Sequence, residues 1–140
     1  MEINRAHTLM AKALDYRALR QDLISSNIAN VDTPFYRSRD IAFEDALAIE
    51  RDRLYARPSA KLELAATHAN HLNGTTEDAS AHAEIFFRDG HTARNDGNTV
   101  DLDVETTEMA KNTVMYNALV AALKKNGAIF RSVIDASAKV

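Results

Sequence analysis

The stretch from Asn27 to Phe43, NIANVDTPFYRSRDIAF, decides how the chain is read. An apolar-periodic run leads into it and a proline ends it. Projected at 100° per residue, Leu9, Met10, Ala13, Tyr16, Leu19, Leu23, Ile24, Ile28 and Val31 share one broad face, which predicts a helix over residues 6–31. Arg20 and Asn27 intrude on that face and must reach its rim or find buried partners. Pro34 disfavours the α conformation at Thr33 and cannot continue the backbone bonding. Asn30 tolerates a left-handed turn, and Asp32 can bond nearby backbone amides. Phe35 and Tyr36 are placed to fold back on the helix end. Beyond them IAFEDALAIERDRLYA resumes a helical period through Ile41, Leu47, Ile49 and Leu54.

The far end carries the other regular pattern. Leu102, Met109, Tyr116, Leu123 and Phe130 recur every seven residues, with Val120 and Ile134 in companion positions and Leu119 and Val133 beside the seam. That spacing belongs to a helix packed lengthwise on another helix. Thr106, Thr113 and Gly127 make the seam patchy. Asp101, Asp103, Glu105 and Glu108 crowd the first turns while Lys124, Lys125 and Arg131 follow late, an order that suits the helix dipole. Gly127 after Asn126 is a place for the helix to bend or fray.

The middle differs in kind. It is rich in Gly, Asn, Asp, Ser, Thr and His without a sustained period, and only AEIFFR reads as a strand or hairpin edge. The expected fold is therefore mainly α. Long N- and C-terminal helices pair as a hairpin or coiled coil, and a loop-rich insert holds at most a short β element. The segments are 1–56 (core helix, joint and second helix), 57–98 (insert) and 99–140 (C-terminal core helix).

Composition narrows the function classes. The 140 residues carry 17 Lys+Arg against 20 Asp+Glu, which leaves no electrostatic footprint for nucleic acid. Aromatics are 6% and tryptophan is absent, so part of the apolar surface is expected to be buried against other chains. Without cysteine there are no disulfides, thiolate metal sites or thiol nucleophiles. The opening MEINRAHTLMAKAL lacks the pattern of a cleaved signal, and no run of about 18 apolar residues occurs, so a soluble chain is expected. His68, His71, His82 and His91 invite a metal reading, but no carboxylate stands at a fixed offset, and exposed loop histidines are the ordinary reading. Ser25 and Ser26 lack the glycine elbow of a nucleophile. Asp101, Asp103 and Glu105 lack the glycine-turned loop of a calcium site, and the four glycines form no phosphate cradle. No catalysis, cofactor, metal or small-molecule substrate is expected.

The segment SSNIANVDTPFYRSRDIAFEDAL resembles the N-terminal signature of the flagellar rod, hook and hook-associated family of axial proteins. Asn27, Ala29, Asn30, Thr33, Pro34 and Tyr36 match its joint motif position by position. Phe35 stands where the family usually has glycine, so the turn is expected to take a conformation that an ordinary residue allows. NDGNTVDLDVETTEMAKNTVMYNAL is similar to the C-terminal segment of the proximal-rod branch, through Asp96, Gly97, Asn98, Val100, Asp101, Asp103, Glu105 and Tyr116. The resemblance implies a structural subunit of the flagellar basal-body rod, polymerising through its terminal helices and transmitting torque from motor to hook. It implies an assembly seam of Leu9, Tyr16 and Leu23 with Leu102, Met109, Tyr116, Leu123 and Phe130. The implied partners are further copies of the chain, other rod proteins, the export-gate adaptor at the rod base and the flagellar type III export apparatus, which needs no cleaved signal peptide. Residue patterns alone equally fit a soluble helical adaptor or regulator that binds one partner helix in its groove.

Overall fold

The computed structural model describes residues 2–55, 83–88 and 95–138. Five elements follow in order: α1 (Glu2–Ala29), β1 (Arg39–Ile41), α2 (Phe43–Tyr55), β2 (Ile85–Phe87) and α3 (Leu102–Ser137). Two long helices at the ends and one small β element between them match the fold expected from the sequence.

The boundaries move for physical reasons. α1 begins four residues before the predicted start at residue 6 and stops at Ala29, two residues short of Val31. Its last turns close with Asn30 N–H donating to the carbonyls of Ser26 (3.2 Å) and Asn27 (3.1 Å). Ile41, read from sequence as the start of the second helical period, lies instead in β1, and α2 opens two residues later at Phe43. β1 pairs antiparallel with β2, matching Arg39 to Phe87, Asp40 to Phe86 and Ile41 to Ile85. The AEIFFR segment thus supplies the strand its composition announced. Gly127 does not end α3, which continues through it for 36 residues from Leu102 to Ser137. Asp101 starts it as the N-cap, its side chain accepting from the amides of Asp103 and Val104.

The apolar core is small. Tyr16, Leu23, Ile41 and Ala46 are buried together, with Leu19, Phe43 and Ala83 packed against them. It lies where α1 meets the β ribbon and α2. Between α1 and α3 the fully buried side chains are of another kind: Ile24 is joined there by Asn27, Asn98, Glu105 and Asn112.

The helices run antiparallel, as their cross-contacts record. Asn27 meets Glu105, Arg20 meets Glu108 and Arg17 meets Asn112. Fifteen residues before Arg17 is Glu2 and fifteen beyond Asn112 is Gly127, so the last turns of α3, residues 128–137, run past the first described turn of α1. At 1.5 Å per residue α3 is about 54 Å long against about 42 Å for α1.

Candidate functional site

The chemistry of this chain is concentrated where α1 ends. Asn27 is wholly buried there and uses every hydrogen-bonding position it has. Its Nδ2 donates to the Arg39 carbonyl (2.9 Å) and to Glu105 Oε2 (3.2 Å). Its Oδ1 accepts from the Arg39 amide (3.0 Å) and the Tyr36 hydroxyl (3.3 Å). The side-chain amide therefore pairs with both backbone groups of Arg39, as a neighbouring strand would, and closes the inner edge of β1. Because the Tyr36 proton points at Asn27, Ser26 Oγ is the donor in its 3.2 Å bond to the Tyr36 hydroxyl.

Asn98 acts from the other side of the turn. Also buried, it directs Nδ2 at the carbonyls of Asn30 (2.9 Å), Val31 (2.9 Å) and Thr33 (2.8 Å). These are carbonyls of the turn just beyond α1, two of which also accept a backbone amide, Asn30 O from Thr33 and Thr33 O from Tyr36. Its Oδ1 accepts from the Val100 amide at 2.7 Å, which leads the chain into α3. Asn30 contributes locally: Nδ2 donates to Ser26 O (2.8 Å) and Oδ1 accepts from Thr33 Oγ1 (3.2 Å). One asparagine on each side of the turn thus fixes how α1 stops and how α3 begins.

Phe35 departs from expectation. Its backbone is left-handed, with φ of 60°, so the turn keeps the conformation that glycine would favour and not one comfortable for an ordinary residue. Such a residue costs on the order of 1 kcal/mol. Two contacts oppose that cost: the Phe35 amide donates to Asp96 O at 3.0 Å, and its ring lies over Gly97. Gly97 has a φ of 70°, and a Cβ there would stand 2.8 Å from Phe35 Cδ1. The ring does not fold back on α1; Phe35 is 80% exposed, and Tyr36 alone returns to the helix end.

An ionic chain ties these parts together. Arg20 grips Asp40 with two bonds, Nε to Oδ1 (2.8 Å) and Nη2 to Oδ2 (2.9 Å), and also reaches Glu108 (3.1 Å). Arg88, just after β2, bridges Asp40 (2.6 Å) and Glu105 (2.8 Å). Lys111 closes the sequence on Glu108 at 2.7 Å. Three carboxylates thus face three cations, joining α1, β1, the end of β2 and α3. Burial works against the charge of Asp40, but hydrogen bonds from Arg20 and Arg88 outweigh it and hold its pKa below 3.8. Burial dominates at Glu105 and raises its pKa above 4.5, against the Asn27 hydrogen bond and the nearby Arg88. The two carboxylates differ because Asp40 is held by two guanidinium groups and Glu105 by one. Glu108 is lowered by its hydrogen bond from Lys111, against its own desolvation, with Arg20 helping.

The joint residues Asn27, Asn30 and Tyr36 come together in this network, while Ala29, Thr33 and Pro34 lie at its exposed rim. Of the seam residues, Tyr16 and Leu23 are buried, and Leu9, Met109, Leu123 and Phe130 are half-buried. Leu102 and Tyr116 are exposed at 46% and 38%. The face α3 turns to α1 is carried by Glu105 and Asn112, also seven residues apart but polar. Asn112 Nδ2 donates to Arg17 O and Gln21 Oε1, both at 2.9 Å. Asp40, Arg88 and Asn112 carry no signal in the sequence reading, whereas Asn98 belongs to the C-terminal resemblance and Arg20 stands out as an intruder on the apolar face of α1. The histidines at 68, 71, 82 and 91 lie outside the described residues, as does most of the 57–98 insert.

Residues 11–37, which hold α1 and the turn, match the family model described as flagella basal body rod protein. Flagellar basal body rod protein FlgB of Cereibacter sphaeroides is 39% identical over 115 residues, 82% of each chain. The FlgB proteins of Yersinia enterocolitica and Escherichia coli are 35% and 34% identical over 124 residues, 87–88% of each chain in the first case and 87% in the second. The chain belongs to the FlgB family of flagellar basal body rod proteins. This family is structural and not one of enzymes, in keeping with a site whose titratable groups are tied to one another by hydrogen bonds and ion pairs.

Proposed function

We propose that this chain is a structural subunit of the proximal flagellar rod, polymerising through α1 and α3 and passing torque from motor to hook. Its partners on this reading are further copies, the other rod proteins and the export-gate adaptor at the rod base. It reaches the periplasm-spanning rod through the flagellar type III apparatus without a cleaved signal. The observation that carries the proposal is the division of α3 into two faces. Its inner face meets α1 through Glu105 and Asn112, whereas Val114, Met115, Ile129 and Val133 lie on another face and remain 53–66% exposed. Apolar side chains repeated along so long a helix suit burial against neighbouring subunits. The joint supports the same reading: a turn held by saturated amides and ion pairs resists bending, as a torque-bearing element requires.

Val114→Asp and Val133→Asp test it. Neither residue is buried within the chain, so the helical circular dichroism of the monomer should stay as it is and the protein should still be exported. Basal bodies from cells carrying either variant should lack a complete rod, and the cells should not swim. Normal rods and swimming in both variants would refute the proposal.

A further inference from the structure

A groove of about 310 Å³ lies between α1 and α3, lined by Arg17, Ala18, Gln21, Asp22, Asn112 and Tyr116 among others. Arg17 is its distinctive wall. The guanidinium lies 3.9 Å above the centre of the Phe43 ring, Nη1 has only a long 3.4 Å bond to Asn112 Oδ1, and Nε is buried without a hydrogen-bond partner. No carboxylate among the described residues forms an ion pair with it. A partly buried cation without a carboxylate partner favours an incoming anion that reaches its guanidinium. Five residues along the same helix, Asp22 gives the groove a negative end.

The complementary surface is on the overhang of α3. From Met109 to the last residue the sequence holds a single acid, Asp135, amid Lys111, Lys124, Lys125, Arg131 and Lys139. Asp135 and Arg131 sit one turn apart on a face that also holds Lys124 at its near end and the small residues Gly127, Ala128, Ser132 and Ala136. The groove offers a cation and an anion about 7.5 Å apart along α1, and the overhang offers an anion and a cation about 6 Å apart along α3. Ala18 in the groove and the small residues of the overhang let two helices approach closely. Within one chain the two surfaces cannot meet, because the overhang runs away from the groove.

We infer that the last turns of α3 dock in the α1–α3 groove of a second copy, Asp135 on Arg17 and Arg131 on Asp22. The pairing lays the overhang antiparallel to the host α1. It joins two different surfaces, so it is heterologous, and repeated contacts of that kind build a ring or an open helical assembly and not a two-fold dimer. The inference rests on the self-assembly proposed above and names the contact that would carry it.

Asp22 and Arg131 are both exposed, so exchanging their charges leaves the fold of the single chain alone. Asp22→Arg and Arg131→Asp should each lower the yield of rod-bearing basal bodies about tenfold or more, since each sets like charges against each other. The double variant should return it to within about twofold of the parent. Circular dichroism of all three monomers should be unchanged. As a second reading, Ala18→Cys with Ala136→Cys keeps all four charges, and the chain has no other cysteine. A short bis-maleimide should link subunits of the doubly substituted protein within isolated basal bodies, and neither single variant should be linked. Intact rods with no cross-link, or double charge exchange no better than the worse single, overturns this contact while leaving the rod proposal standing. Parent chains absent from isolated rods would instead overturn the rod proposal itself.

Discussion

Asn27→Asp is the most informative single change, because it keeps the shape of the side chain and alters only what it donates. In the native joint Nδ2 stands 3.2 Å from Glu105 Oε2 and 2.9 Å from the Arg39 carbonyl. An aspartate places a second carboxylate against a buried one. Two unit charges 3.2 Å apart repel by about 5 kcal/mol at an effective dielectric of about 20. A proton offers a less costly arrangement. Holding one at pH 7 on Glu105, whose ordinary pKa is 4.5, costs about 3.4 kcal/mol, and the resulting Glu105 hydroxyl can donate to the new carboxylate at position 27. The donor to Arg39 O is still lost, at about 1 kcal/mol. The variant should therefore be about 4–5 kcal/mol less stable than the parent at pH 7 and about 1–2 kcal/mol less stable at pH 4.5. Asn27→Ala loses all four bonds without adding charge, so its deficit of about 2–3 kcal/mol should change little between the two pH values. Urea unfolding followed by circular dichroism at 222 nm, at both pH values, separates the variants. Equal losses for the two at pH 7, with no recovery of the aspartate variant in acid, would refute the placement of Asn27 beside Glu105.

Two further substitutions probe the same region. Gly97→Ala puts a Cβ 2.8 Å from Phe35 Cδ1 at a φ of 70°, and should lower unfolding stability by about 1–2 kcal/mol; Phe35→Gly in the same chain should recover part of that loss. Asp40→Asn strips the shared partner from Arg20 and Arg88 and should cost about 2–4 kcal/mol at pH 7, less than a fully buried pair because both arginines keep some solvent contact. Since the folded pKa of Asp40 is depressed, its contribution is present above 3.8 and fades as pH falls below it, so the gap between parent and variant in acid titrations should close there.

Sequence reading captured what depends on neighbours in the chain and missed what depends on distant ones. α1 was legible because Leu9 through Ile28 repeat at helical spacing, and the stop was legible because Pro34 acts locally. The last helical residue was not, because Asn98 binds the carbonyls of Asn30 and Val31 from 67 or more positions away. Ile41 fits a helical stripe and a half-buried strand equally well, and only Ile85 opposite it decides for the strand. Phe35 kept a left-handed turn because Asp96 and Gly97 receive it, contacts invisible in the local pattern. The α3 heptad was real in spacing, yet the side chains that bond to α1 are the polar Glu105, Glu108 and Asn112. A search for apolar repeats assigns such residues to solvent, and their burial becomes evident only with Asn27, Arg88 and Gln21 in place.

A density map of an isolated basal body, with this chain traced in its rod, tests the central claim most directly. It should show α1 and α3 of each chain lying antiparallel with Asn27 beside Glu105, and residues 128–137 of α3 against another subunit. α1 separated from α3 of its own chain, or the apolar face of α3 facing solvent in the finished rod, would contradict the account.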